Sequence, residues 1–153
     1  MSRLPTGVTA ITALVDGVPA GLAANAVNSL SLDPPLMFAA IDRGSRTLRA
    51  VEAAGSFGVN VLGADAAELA HNFGRKIPVE ERWRGVGWEP VETSEGAVPM
   101  LDAAIVWVGC RLGDVIAGGD HVIITGEVLA IRQRDGDPLL FHGGTYRPLD
   151  LSG

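Results

Sequence analysis

The run Gly21-Leu-Ala-Ala-Asn-Ala-Val-Asn-Ser-Leu-Ser-Leu-Asp-Pro-Pro-Leu36 constrains this chain more than any other segment. Its first half is strand-like and built of small residues. Its second half is polar and ends in two consecutive prolines, which forbid helix and pre-set φ. The reading is a small-residue strand that breaks into a rigid polar turn before an apolar strand from Leu36 to Ile41. Small side chains leave the main chain open to a flat ligand, while Ser29 and Ser31 offer hydroxyls and Asn25 and Asn28 offer amides.

Turn chemistry organises the rest. Thr6 to Val15 reads as a strand rich in Val, Ile and Thr, and Asp16-Gly17 is a hairpin signal leading into Val18 to Val27. Ser45 caps a helix running to Ala54, stopped by Gly55 and burying Leu48 and Val51. Phe57 to Leu62 returns to strand, and Asp65 with Glu68 gives a capping-box-like start to a helix ending near Phe73-Gly74. Pro78 to Trp83 reads as one helical turn. Gly85 to Pro99 is dense in Gly, Pro, Glu and Thr and is expected to be a surface excursion tucked down by Trp83 and Trp88. From Ala104 the pattern is all strand: Ala104 to Leu112, Val122 to Arg132, Leu139 to His142 and Tyr146 to Leu149, with turns at Asp135-Gly136 and Gly143-Gly144. Strands joined by tight turns, with helices only in the middle, predict a mainly β fold with inserted helices, a closed or nearly closed antiparallel barrel. One domain is expected over residues 1–153.

With 47% hydrophobic and 20% charged residues the chain has the make-up of a packed protein. Its net charge of −6 argues against nucleic acid or an anionic membrane surface as partner, since both select a basic face. Cys110 stands alone among apolar neighbours and is expected to be a buried core residue. No leader pattern opens the chain and no apolar run approaches the ~20 residues of a membrane span, so a cytoplasmic protein is expected.

There is no nucleophile elbow, Walker sequence, dinucleotide fingerprint or paired cysteine at zinc spacing. His71, His121 and His142 lie far apart without the i, i+4 spacing of a helical metal pair, and no metal site is expected. Arg43-Gly44-Ser45-Arg46-Thr47 brings hydroxyls, guanidinium groups and free backbone N–H groups to one helix start, which suits a phosphate; it equally suits a solvated, capped helix with Arg46 and Arg49 on one face. In Gly118-Gly119-Asp120-His121 the imidazole sits at a strand entrance, free to meet a ligand or to satisfy a turn. Asn60 lies in an apolar strand and is either a satisfied core amide or a ligand contact. Tyr146 and Arg147, beyond a Gly-Gly turn, either close over a ligand or finish a hairpin.

Together, Pro5-Thr-Gly-Val-Thr-Ala-Ile-Thr12, Ser29-Leu-Ser-Leu-Asp-Pro-Pro-Leu36, Phe57-Gly-Val-Asn-Val-Leu62, Gly119-Asp-His121, Gly126-Glu-Val128 and Pro138-Leu-Leu-Phe-His142 resemble the flavin reductase-like family, in the family's order and over nearly the whole chain. The resemblance implies an FMN-binding split β-barrel, a homodimer with flavin sites near the subunit interface, NADH or NADPH as reductant, and a monooxygenase that receives reduced flavin. Carried over by position, Asn25, Ala26, Asn28, Ser29, Leu30 and Ser31 would face the flavin ring, and Ser45, Arg46 and Thr47 would hold its phosphate. Asn60 would support the flavin side. His121 would meet the nicotinamide nucleotide in the catalytic position, with Tyr146 at the same mouth. Ala23 and Ala26 stand where many relatives carry Thr and Ser; each missing hydroxyl would cost about 1 kcal/mol, roughly five-fold in flavin affinity.

The activity so implied is NAD(P)H:flavin oxidoreduction, with FMN as cofactor or exchanging substrate and FAD as the alternative flavin. Two other readings use the same phosphate logic: an FMN-binding electron carrier or sensor without nicotinamide turnover, and a related split barrel holding another phosphorylated ring.

Overall fold

The computed structural model describes residues 2–149. Seven antiparallel strands form the main sheet. In chain order they are β2 (Thr9–Val15), β3 (Val18–Ala24), β4 (Val27–Leu32), β5 (Pro35–Asp42), β6 (Ser56–Leu62), β9 (Ala104–Gly118) and β10 (His121–Gln133). Their spatial order is β3-β2-β6-β9-β10-β5-β4. Three smaller strands, β1 (Thr6–Gly7), β11 (Leu139–His142) and β12 (Thr145–Pro148), make a side sheet, while β7 (Trp88–Thr93) and β8 (Gly96–Leu101) make a hairpin.

The two outermost strands of the main sheet, β3 and β4, are consecutive in the chain and joined only by Asn25 and Ala26. A flat sheet would hold such edges about 29 Å apart at ~4.8 Å per strand. The three Cα steps from Ala24 to Val27 span at most about 11 Å. The sheet therefore curls until its edges meet, but β3 and β4 do not pair. The result is an antiparallel barrel split along one seam.

Three helices were expected and three form among the described residues: α1 (Arg46–Ala54), α2 (Ala67–Gly74) and α3 (Val79–Arg82). The Ser45 side chain accepts from the Leu48 N–H at 3.1 Å, and Gly55 closes α1 in the left-handed conformation at φ 69°. Leu48 and Val51 drop into a core with Ile11, Ile41, Phe57, Val59 and Ile124. Cys110 is buried in the same cluster, as expected, and burial pushes its thiol up to about 12. A second core, with Val8, Leu62, Phe73, Leu101 and Leu139, lies under α2.

Three local expectations are corrected. Asn28, Ser29, Leu30 and Ser31 are not a turn but most of β4; only Asn25–Ala26 and Asp33–Pro34 interrupt the strands, and Leu32 pairs directly with Pro35. Pairing with β5 overrides the low strand preference of Asn and Ser. A register shift between Ser29 and Ser31 leaves Leu30 without a partner residue. Asp65 does not cap α2, which begins one residue too late for it: Ala66 holds the cap position without a side-chain hydrogen bond. Trp83 and Trp88 do tuck Gly85 to Pro99 down, with ring centroids 5.9 Å apart, but the segment is a paired hairpin rather than an irregular excursion, since Trp88–Thr93 and Gly96–Leu101 pair along their whole length. Val98 and Leu101 are buried, and the Pro99 carbonyl accepts from both Thr12 Oγ1 and Trp107 Nε1, at 2.7 and 3.1 Å.

Candidate active site

The seam is the site. The end of β3 and its link (Leu22 to Ala26), the end of β5 (Ala40 to Asp42) and the start of α1 form one wall of a cleft of about 820 Å³. Phe73 to Val79 and Arg82, from α2, α3 and their connection, form the other wall, and His121 stands at the cleft as well. The alanines at 23, 24 and 26 keep the first wall low, as the small-residue run predicted.

The loop before α1 is tightly set. Asp42 Oδ1 accepts from the Gly44 N–H at 2.7 Å, and the Asp42 carbonyl accepts from the Ser45 N–H at 3.0 Å. With the Leu48 N–H taken by Ser45, the N–H groups of Arg46 and Thr47 at the helix start have no intrahelical acceptor. They supply the positive end of the helix to whatever occupies the cleft.

His121 reaches this place through strand pairing. It opposes Asp42 across β10 and β5, and the Arg43 N–H donates to the Asp120 carbonyl at 3.1 Å. Its Nδ1 lies 2.8 Å from Asp120 Oδ1. The hydrogen bond and the charge of His121 hold the Asp120 carboxyl below its ordinary range. An ionised carboxylate only accepts, so Nδ1 carries the hydrogen and Nε2 is left for a ligand.

The opposite wall was not foreseen. Arg82 donates to the Gly21 carbonyl through Nη1 at 2.6 Å and to the Arg75 carbonyl through Nη2, tying α3, β3 and the α2–α3 connection together. Gly21 permits this because its bare Cα lets the wall close in. An added Cβ would lie 2.7 Å from Phe73 and 3.0 Å from Trp83. Burial, and then the charge of Arg46, lower the Arg82 pKa, so the two guanidinium groups sense one another across the cleft. Arg46, Arg49, Arg75, Lys76 and Arg82 thus line the cleft against a single carboxylate, Asp42, in a chain of net charge −6. Arg46 and Arg49 were legible at the helix start, whereas Arg75, Lys76 and Arg82 of the opposite wall left no trace in the sequence beyond basic residues either side of Pro78.

Of the residues singled out above, Asn25, Ala26, Ser45, Arg46 and His121 meet at the cleft. Asn28, Ser29 and Leu30 are exposed along β4, with Ser31 half-buried beside them, and none lines it. Thr47 is buried under α1. Asn60 is fully buried: Nδ2 donates to the Ala10 carbonyl at 3.2 Å and to Thr12 Oγ1 at 3.1 Å, while Oδ1 accepts from the Leu101 N–H at 2.8 Å. Of the two readings of this residue, the geometry is that of the satisfied core amide. Tyr146 packs against Phe141 at 5.3 Å between ring centroids, on the side sheet; it does not itself line the cleft, although its hydroxyl lies 3.9 Å from where a Cβ on the lining residue Gly74 would stand. No group of three or more His, Cys, Asp or Glu side chains among the described residues is arranged to hold a metal.

A split antiparallel barrel with a phosphate-suited helix start and a small-residue wall defines a nucleotide-cofactor-binding protein. The chain belongs to the flavin reductase-like domain family, whose model matches residues 1–150. It is 36% identical to the reductase subunit HsaB of a flavin-dependent monooxygenase from Mycobacterium tuberculosis, over 98% of this chain and 79% of that protein. It is 37% identical to the FMN reductase (NADH) RutF 2 of Rhizobium rhizogenes, over 93% and 80%. Its fold matches the NADH:FAD oxidoreductase SgcE6 of Streptomyces globisporus, solved with NAD and FAD fragments, with a TM-score of 0.88 and 29% identity over 99% and 90% of the two chains.

Proposed function

We propose that this chain is an NAD(P)H:flavin oxidoreductase that transfers hydride from a reduced nicotinamide nucleotide to FMN and delivers the reduced flavin to a monooxygenase. One observation carries the reading: the seam cleft joins a low alanine wall, a capped helix start and five cations in one volume of about 820 Å³. That volume lies within the usual range for cofactor pockets. The alanines suit a flat ring laid on main chain, and the helix start with Ser45 and Arg46 suits the flavin phosphate. The relatives named above support the same chemistry, and the chain matches most of their length.

The chemistry a bound flavin supplies is acceptance of hydride at its N5 from the nicotinamide C4. The protein then needs no nucleophile. Its residues bind and orient: Ser45 and Arg46 hold the phosphate, Asn25 and Ala26 border the ring, and His121 Nε2 positions the nicotinamide nucleotide. Orientation of this kind is worth several kcal/mol of barrier.

The reading includes a homodimer of one flavin reductase-like domain, residues 1–153, of which Met1 and the last four lie outside the described residues. It is supported by Leu30 and Leu32 on the edge strand β4, which are 52% and 93% exposed, and by Val115, Ile116 and Ile123 on the far end of the β9–β10 hairpin. Apolar side chains on an edge strand and on the uncovered face of a hairpin mark a surface that another chain covers. A cytoplasmic setting accords with the supply of reduced nicotinamide nucleotides there and with a lone buried thiol.

Oxidation of NADH and NADPH, followed at the nicotinamide absorbance with FMN, FAD and riboflavin in turn, tests the activity. Turnover with at least FMN is expected. Tight FMN binding without turnover would replace the reading by the electron carrier, and absence of flavin binding would end it.

A further inference from the structure

We propose that Arg75 and Lys76, on the connection between α2 and α3, form a second phosphate subsite across the cleft from the start of α1, and that it receives the diphosphate of a dinucleotide. The inference rests on the activity proposed above and adds to it the ligand group that the second wall reads.

A flavin mononucleotide brings a single phosphate, of about two negative charges. The start of α1, with the free N–H groups of Arg46 and Thr47, the Ser45 hydroxyl and the Arg46 guanidinium, already answers it. Three more cations line the opposite wall: Arg75, Lys76 and Arg82. None of the three takes part in a salt bridge among the described residues. The cleft's one carboxylate, Asp42, is occupied by the Gly44 N–H.

Arg82 is held by two backbone carbonyls, Gly21 and Arg75, and its Nε has no hydrogen-bond partner. It serves as the strut of the wall rather than as its reading head. By fixing the Arg75 carbonyl it fixes the backbone from which Arg75 and Lys76 project, both exposed at the cleft. The Ile77-Pro78 step that follows restricts that backbone further. Two adjacent cations on a stiffened segment, lacking a carboxylate partner and facing a helix start, suit a ligand whose anionic groups are spaced across the cleft. A diphosphate between two nucleosides is such a group. It arrives with the nicotinamide dinucleotide or with FAD.

The test is the double variant Arg75→Ala/Lys76→Ala, whose side chains are exposed and leave the Arg82 strut in place. Dissociation constants for FMN, FAD and riboflavin are read by flavin fluorescence, that of ADP-ribose by calorimetry, and the KM for NADH with FMN as acceptor. The expected result is FMN and riboflavin affinities within two-fold of the parent, with a rise of about ten-fold for ADP-ribose and for either the KM of NADH or the Kd of FAD. A rise for NADH assigns the diphosphate to the reductant, and a rise for FAD assigns it to the flavin. Equal weakening of FMN and FAD would overturn the proposal by giving this wall to the flavin monophosphate. Weakening of riboflavin would overturn it as a structural effect, and no change in any constant would mark two solvated cations only. Failure of the parent protein to oxidise NADH would defeat the activity reading, while the ADP-ribose arm still tests the subsite.

Discussion

Asn60 and His121 show how differently two polar residues in strands can be used. Asn60 bridges β2, β6 and β8 with three hydrogen bonds, and its partners Ala10 and Thr12 are themselves buried. Replacing it by Ala leaves the Leu101 N–H unpaired in the core, at about 1–3 kcal/mol, and takes a donor from the Ala10 carbonyl and the Thr12 hydroxyl. Asn60→Ala is therefore expected to lower the stability measured by urea unfolding by roughly 1–3 kcal/mol, with the flavin Kd of the folded fraction unchanged; a selective loss of flavin binding at full stability would return Asn60 to the site. His121, 46% exposed with only Nδ1 engaged, has the opposite profile. His121→Ala is expected to raise the KM for NADH more than it raises the flavin Kd, with little change in melting temperature. Equal KM values in variant and parent would remove His121 from the reductant's path. Sequence reasoning could not separate the two cases, because a polar residue within an apolar strand looks the same whether its partner is the core or a ligand.

At the level of elements, what could be read in advance was what depends on neighbours in the chain. The start and end of α1 follow from Ser45 and Gly55, and the Asp16-Gly17 hairpin from its own two residues, whereas β9, read only to Leu112, runs on to Gly118. What could not be read depends on distant partners. β4 is a strand because β5 pairs with it, and the cationic wall exists because Arg82 reaches Gly21, sixty-one positions away. The same division sets a prediction for α1, whose first turn does two things through one side chain. Ser45→Ala removes the acceptor for the Leu48 N–H, which costs about 1 kcal/mol of stability. It also removes a hydroxyl donor from the proposed phosphate site, so FMN affinity is expected to fall several-fold while riboflavin affinity holds. Ser45→Asp separates the two effects: it keeps the cap and, by adding a negative charge, weakens FMN further. Equal losses for FMN and riboflavin in both variants would show that the phosphate lies elsewhere.

For the whole molecule, the split barrel solves one geometric problem and poses another. Joining β3 to β4 through two residues closes the curl and creates the cleft, but it leaves β4 as an unpaired edge with Leu30 and Leu32 in solvent. β9 adds to this by running past its last pair with β6 at Arg111, so that every residue from Gly113 to His121 is exposed and Val115, Ile116 and Ile123 have no cover of their own. His121 sits at the base of that hairpin tip and also at the cleft. Whatever covers the hairpin therefore borders the site. The second copy proposed above would bring the same apolar hairpin and edge to these surfaces. The double variant Ile116→Lys/Ile123→Lys places two like charges opposite one another in the register of β9 and β10, on the face to be buried. In sedimentation equilibrium the parent is expected at twice 15.9 kDa and the variant at 15.9 kDa. Circular dichroism keeps the result interpretable: a monomer with unchanged strand signal supports the interface, and a parent that is itself monomeric at micromolar concentration removes it. Because the dimer would stiffen the hairpin that carries His121, the monomeric variant is further expected to lose affinity for NADH before it loses FMN, an order that a purely structural role for this hairpin would not produce.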